Sequence, residues 1–141
     1  MRKRTAGREY ALQALYQIHI TQNSAEDVLK DFWENHEEVD GESREFTEQL
    51  VTGTVEHLTH LDEVIKKYAE NWNLDRMAVV DRNILRLAAY ELLYAADIPP
   101  KVSINEAVNL AKKFSQGDSG KFVNGILDRI SHSEELPAGK K

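Results

Sequence analysis

Between Asp81 and Ala96, apolar side chains (Ile84, Leu85, Leu87, Ala88 and Leu92 among them) occupy so many helical positions that no broad face can stay in water. A helix of this kind has to sit at the centre of others. Pro99 and Pro100 close the segment, because the proline ring removes a donor and biases Ile98 away from helical angles. Ser103 and Glu106 then read as a capping box opening the next helix, whose stripe is Ile104, Ala107, Val108, Ala111 and Phe114.

The rest of the chain carries the same period. Ala11, Leu12, Leu15 and Ile18 form one stripe. Ser24 with Asp27 caps a second helix running to about Glu38, which Gly41 ends. A third stretch starts near Ser43 and continues to about Asn71, with Thr54, Leu58, Leu61, Ile65, Tyr68 and Trp72 on one side. Gly53 inside it marks either a break or a close helix crossing, so two helices fit this span. The last helix begins near Asp118 or Ser119 and buries Val123, Ile126, Leu127 and Ile130. No strand alternation and no internal repeat appear. The expectation is an all-α fold of six to seven helices, with residues 1–133 as one helical domain and 134–141, carrying Pro137 and Gly139, as a flexible polar tail.

A chain of 141 residues, 41% hydrophobic, suffices for one domain burying about 68–70% of its unfolded surface. Cysteine is absent, which removes disulfides, thiolate zinc sites and cysteine nucleophiles and suits a reducing, cytoplasmic setting. There is no run of eighteen apolar residues to cross a membrane. Glu9 and Gln13 interrupt the place where a signal peptide's apolar region would sit, so a mature soluble chain is expected.

Charge is distributed unevenly. The formal net charge is −6, yet residues 1–8 hold Arg2, Lys3, Arg4 and Arg8 and no acid, leaving fourteen basic against twenty-four acidic residues elsewhere. Glu26 to Glu48 alone holds ten acidic and two basic residues, a surface that is either solvated or attractive to a basic partner. A second basic cluster gathers Lys113 and Lys121 with Phe122. Two small basic patches on an acidic body suit a selective grip on a polyanion, the two forming one docking strip. Phe122 falls at the border of the last helix's apolar stripe, where it either packs in the core or stacks a base. Tyr16, at the edge of the first stripe, poses the same choice, and Arg4 and Arg8 prolong that stripe on a helix end expected to project from the core.

Several patterns imitate chemistry. Gly117-Asp118-Ser119-Gly120 copies a serine-protease tetrapeptide without the β-barrels that hold its histidine and aspartate. Gly120-Lys121 lacks both the earlier glycine and the Ser/Thr of a phosphate loop. His57 and His60 share a helix face, but no second ligand pair accompanies them, so no metal, cofactor or catalytic residue is expected. Asn124-Gly125 interrupts a helical stripe, so the glycine admits either a neighbouring helix or a ligand. Arg82 and Arg86, four apart, call for carboxylates, for which the acidic segment is the natural source.

Four blocks, taken together, are similar to a known family. Arg8-Glu9-Tyr10-Ala11-Leu12-Gln13-Ala14-Leu15-Tyr16, Asp81-Arg82-Asn83-Ile84-Leu85-Arg86-Leu87-Ala88-Ala89-Tyr90-Glu91-Leu92, Ser103-Ile104-Asn105-Glu106-Ala107-Val108 and Lys121-Phe122-Val123-Asn124-Gly125-Ile126-Leu127-Asp128 resemble the NusB family of bacterial transcription antitermination factors, in order and over nearly the whole chain. The resemblance implies two packed helical subdomains. It also implies that, with a ribosomal small-subunit protein acting as NusE, the chain binds single-stranded boxA RNA of ribosomal RNA operons and helps the elongating RNA polymerase complex resist termination. Carried over, it puts Arg2, Lys3, Arg4 and Arg8 on RNA phosphates, with Tyr16, Asp118, Lys121 and Phe122 completing the surface. It points to Asp81 first, then Arg76 and Arg82, for NusE. Gly7 would loosen the helix that presents the arginines. About four neutralised phosphates would give a log–log salt slope near −3.

Two other readings compete. NusB-like helical domains also precede ribosomal RNA methyltransferase domains, but this chain shows no glycine-rich cofactor loop or βαβ pattern. A purely structural bundle would use the Glu26–Glu48 surface and leave the N-terminal arginines idle. Monomer and homodimer both remain open.

Overall fold

The computed structural model describes residues 2–69 and 74–140; Asn71 and Trp72, placed above in the third helical stretch, lie outside them. Among the described residues there are seven α-helices, one 3-10 turn and no strand, as the periodicity predicts. The chain divides into two compact units, residues 1–56 and 57–141.

The first unit holds α1 (Lys3–Thr21), α2 (Ala25–Glu34) and α3 (Gly41–Glu56). Ala11, Leu12, Ala14 and Leu15 of α1 are buried, with Phe32 and Trp33 of α2 and Leu50 and Val51 of α3. Ser24 caps α2 by accepting from the Asp27 N–H at 3.1 Å. The helix stops at Glu34, short of Glu38, and turns carry the chain on. Gly41 does not end α2; it opens α3, because Asp40 accepts from the N–H groups of Glu42 and Ser43, both at 3.0 Å. Those bonds, led by Ser43, hold the Asp40 carboxyl below its ordinary range.

Gly7 lets α1 pass close to α3. A β-carbon there would lie 2.9 Å from Phe46 Cδ2 and 3.3 Å from the Ser43 carbonyl oxygen. The glycine therefore tightens the crossing, where loosening of the helix was expected. Thr47 Oγ1 reaches the Gly7 carbonyl at 3.1 Å, and Ser43 Oγ reaches that of Lys3 at 3.1 Å. The beginning of α1 is thus tied to α3 and does not project.

The second unit holds α4 (Leu58–Tyr68), the turn Leu74–Arg76, α5 (Val79–Tyr94), α6 (Pro100–Phe114) and α7 (Ser119–Ser133). The helical break falls at His57, and α3 runs uninterrupted through Gly53. Thr54 accordingly belongs to α3, and the stripe of α4 is Leu61, Val64 and Ile65. Helix α5 is the central element, with Ile84, Leu85, Leu87, Ala88, Ala89 and Leu92 all buried. All four expected apolar residues of α7 are buried as well.

Ser103 is not a cap. Helix α6 begins earlier, with Pro99 at the N-cap and Pro100 at the first helical position, where a missing N–H costs nothing because that donor has no intrahelical partner. Ser103 then falls inside the helix, buried, and its hydroxyl donates to the Glu91 carboxylate at 2.8 Å. Phe114, assigned to the buried stripe, lies at the last turn of α6 and is 36% exposed. Segment 134–140 is held at two points: Glu134 accepts from Tyr68 and Lys67, and Lys140 Nζ donates to the carbonyls of Glu91 and Ala95 at the end of α5. A lysine there satisfies carbonyls left open by the helix end. Its burial pulls the Lys140 pKa down.

Candidate nucleic-acid interface

In the first unit, Arg2 at the N-cap of α1 and Lys3 and Arg4 on its first turn are exposed, and Lys3 pairs with Glu42 at 3.5 Å. Arg4 and Arg8 both lie over the Phe46 ring, 4.8 and 5.2 Å from its centroid. Arg8 is only 3% exposed, so the guanidinium expected to reach phosphate is turned onto an aromatic face instead. Tyr16 is 44% exposed, which favours the binding alternative over the core one, and Ile20, one turn further on and 58% exposed, shares its face. Ile20 went unnoticed because it lies past the end of the apolar stripe. Part of the acidic segment is used internally: Glu48 accepts from Trp33 Nε1 at 2.9 Å and from Arg44 Nε at 3.3 Å.

In the second unit, the start of α7 gathers the remaining candidates. Gly117 takes a positive φ of 62°, which lets the chain turn sharply between α6 and α7. Asp118 follows, exposed, at the N-cap of α7, where a negative charge complements the helix dipole. Lys121 is exposed, and Phe122 is half-buried on the border the helical wheel gave it. On α6, Lys113 Nζ sits 5.4 Å from the centroid of the Phe114 ring. Each helix end thus sets a cation next to an aromatic ring, a combination that suits a phosphate beside an unpaired base.

The side chain of Ser119 is engaged structurally. Its hydroxyl lies 2.8 Å from the Gln116 carbonyl and 3.3 Å from Asp81 Oδ2, and no histidine is among its partners in the described residues. Asp81 thereby ties the start of α5 to the start of α7, while its Oδ1 is buried without a hydrogen bond among the described residues. Of the other residues expected to meet a protein partner, Arg76 is exposed and Arg82 is half-buried, donating to the Met77 carbonyl at 3.1 Å. Arg86 finds its carboxylate on α4, not in the acidic segment: Nε and Nη2 meet the two oxygens of Asp62 at 2.7 and 2.9 Å. The sequence could not separate these options, since Asp62 is simply the carboxylate that α4 brings alongside α5. His57 stacks on Tyr94 with ring centroids 4.0 Å apart, and His60 Nδ1 is hydrogen-bonded to the Tyr94 hydroxyl.

Two residues beside this surface escaped the sequence reading. Tyr68, at the last turn of α4, and Arg129, on α7, line a groove with Lys121, Phe122 and Gly125. Tyr68 looked like one more member of an apolar stripe, and only its place at a helix end hinted otherwise. Gly125 has nothing within 4 Å of where a β-carbon would stand, so it does not serve close helix packing.

Among the described residues the chain belongs to the class of all-helical proteins, and it presents basic and aromatic side chains at the head of its last helix. The NusB family model matches residues 5–132, and the chain belongs to the NusB family. It is 50% identical over 139 residues to the transcription antitermination protein NusB of Anaeromyxobacter dehalogenans, covering 99% of this chain and 96% of that one. Among solved structures, NusB from T. maritima superposes with a TM-score of 0.87 at 40% identity, covering 97% and 94% of the two chains. A chain from a crystal structure of antitermination factors NusB and NusE in complex with dsRNA gives 0.85 at 30% identity, covering 94% and 98%.

Proposed function

We propose that this chain is a non-catalytic RNA-binding antitermination factor. Together with NusE, it holds single-stranded boxA RNA of ribosomal RNA operons and helps the elongating RNA polymerase complex pass terminators. The observation that carries the reading is the pairing of exposed Lys121 with half-exposed Phe122 on the first turn of α7. A ring at such a border stacks only on a base not already stacked within a duplex, which favours unpaired RNA. Membership of the NusB family, and the presence of NusE and RNA in a related complex, support the same partners.

In this reading Arg2, Lys3 and Arg4 supply phosphate contacts from the first unit, and Tyr16 supplies a second aromatic face. Asp81, with Arg76 and Arg82, marks the side offered to NusE, a ribosomal protein expected to be basic. The body's net charge of −6 keeps RNA binding weak in isolation, and a basic partner offsets it. Because the related complex contains dsRNA, duplex is the natural competitor.

Electrophoretic mobility of boxA RNA, single-stranded and annealed, with and without NusE, tests the proposal. It expects single-stranded boxA to be retarded, more strongly with NusE. Preference for the duplex, or no effect of NusE, would overturn it.

A further inference from the structure

Two arginines of α1 share one ring of α3. Arg4 and Arg8, a turn apart, set their guanidinium carbons 4.8 and 5.2 Å from the centroid of Phe46, yet Arg8 is buried and Arg4 is exposed. The ring itself is buried, and a β-carbon at Gly7 would lie 2.9 Å from its Cδ2, so glycine leaves the space in which it sits. The backbone that carries Arg4 is tied to α3 on either side. Ser43 Oγ lies 3.1 Å from the Lys3 carbonyl oxygen, and Thr47 Oγ1 lies 3.1 Å from that of Gly7. Helix α3 therefore holds both the main chain around Arg4 and its guanidinium, while the charge stays at the surface. An arginine kept only for solubility needs neither restraint.

We propose that Phe46 is a positioning residue for RNA binding: its ring stacks the Arg4 guanidinium so that the outer N–H edge meets a phosphate with its direction already set. The proposal rests on the RNA-binding reading above and adds to it a residue that itself touches no RNA. Ordering a long side chain opposes association, and a guanidinium that already lies on a ring has lost part of that freedom before RNA arrives. Lysine carries the same charge but has no planar face to lay on the ring. Arg8, buried on the same ring, stays with the fold. One arginine thus serves packing and the other serves phosphate.

The test measures binding of the full chain, with NusE, to a fluorescein-labelled single-stranded boxA oligoribonucleotide across a salt series. Phe46→Leu, which keeps an apolar side chain, and Arg4→Lys should each weaken binding about threefold, with the log–log slope kept because no charge is lost. The double variant should bind no more weakly than either single one, since both changes remove the same stack. Arg4→Ala should weaken binding and make the slope shallower by about 0.7. Phe46→Met takes the place of Phe46→Leu should the leucine variant not fold. Wild-type affinity for the Phe46 variant, or losses that multiply in the double variant, would overturn the positioning role while leaving RNA binding intact. Wild-type affinity and slope for Arg4→Ala would instead remove the start of α1 from the RNA reading itself.

Discussion

Ser103 Oγ donates to Glu91 Oε1 at 2.8 Å, and the two residues are 1% and 2% exposed, so α5 and α6 are joined by a polar bond inside an apolar interior. Deleting the hydroxyl takes a partner from a buried carboxylate, which costs about 1–3 kcal/mol. Ser103→Ala should therefore lower unfolding free energy in urea by that amount, and Ser103→Thr, which keeps the donor, by less. An unchanged midpoint for the alanine variant would show that the bond contributes nothing net.

Two glycines should respond oppositely to the same change. Gly7→Ala places a methyl 2.9 Å from the Phe46 ring and 3.3 Å from a backbone oxygen, and Phe46 is itself buried beneath two guanidinium groups. Overpacking of this kind costs about 1–3 kcal/mol, more than the roughly 0.5–1 kcal/mol gained from helix propensity. Gly125→Ala meets no obstruction and should keep only the gain. Thermal unfolding should show Tm falling for Gly7→Ala and holding or rising for Gly125→Ala.

The Arg86–Asp62 pair is bidentate, with side chains only 13% and 22% exposed. Lysine cannot reproduce the fork. Arg86→Lys should cost about 1–2 kcal/mol, discounted from the 3–5 kcal/mol of a fully buried broken pair because both groups keep some solvent. Chemical denaturation of Arg86→Lys beside Asp62→Asn measures it, and near-additive losses in the double variant would deny the coupling.

Glu134 carries an acid dependence. The Tyr68 hydroxyl, and after it Lys67, hold its carboxyl below the ordinary glutamate range. A folded pKa below the unfolded one means stability that is present above about pH 4.3 and is lost as pH falls through the folded value. Glu134→Gln should flatten that part of the stability profile. Wild type and variant declining in parallel between about pH 5 and pH 3 would contradict the assignment.

Helical periodicity made the architecture legible wherever burial was continuous. The stripes of α5 and α7 lie where their spacing put them, that of α1 is buried as far as Leu15 with Ile18 half-exposed, and the Ser24 cap is real. Errors arose where one local signal admits two roles. Proline both ends helices and starts them, so the pattern at Ser103 reads as a cap although Pro100 already opens α6. Glycine both breaks helices and lets them cross: Gly7 sits at a crossing, α3 runs on through Gly53, and Gly125 has open space where a β-carbon would stand. The candidate site was legible in Lys121 and Phe122, which share one helix. It was not legible in Tyr68 or Arg129, whose meeting depends on how α4 lies against α7. The burial of Arg8 likewise depends on Phe46 of another helix.

The most direct test is the salt dependence of binding to single-stranded boxA RNA, in the presence of NusE, for wild type, Phe122→Ala and Lys121→Ala. Loss of the ring should weaken binding about tenfold with the log–log slope preserved. Loss of the lysine should weaken binding and make the slope shallower by about 0.7, the share of one phosphate on a single strand. Both variants binding with wild-type affinity and slope would contradict the claim that the head of α7 grips unpaired RNA.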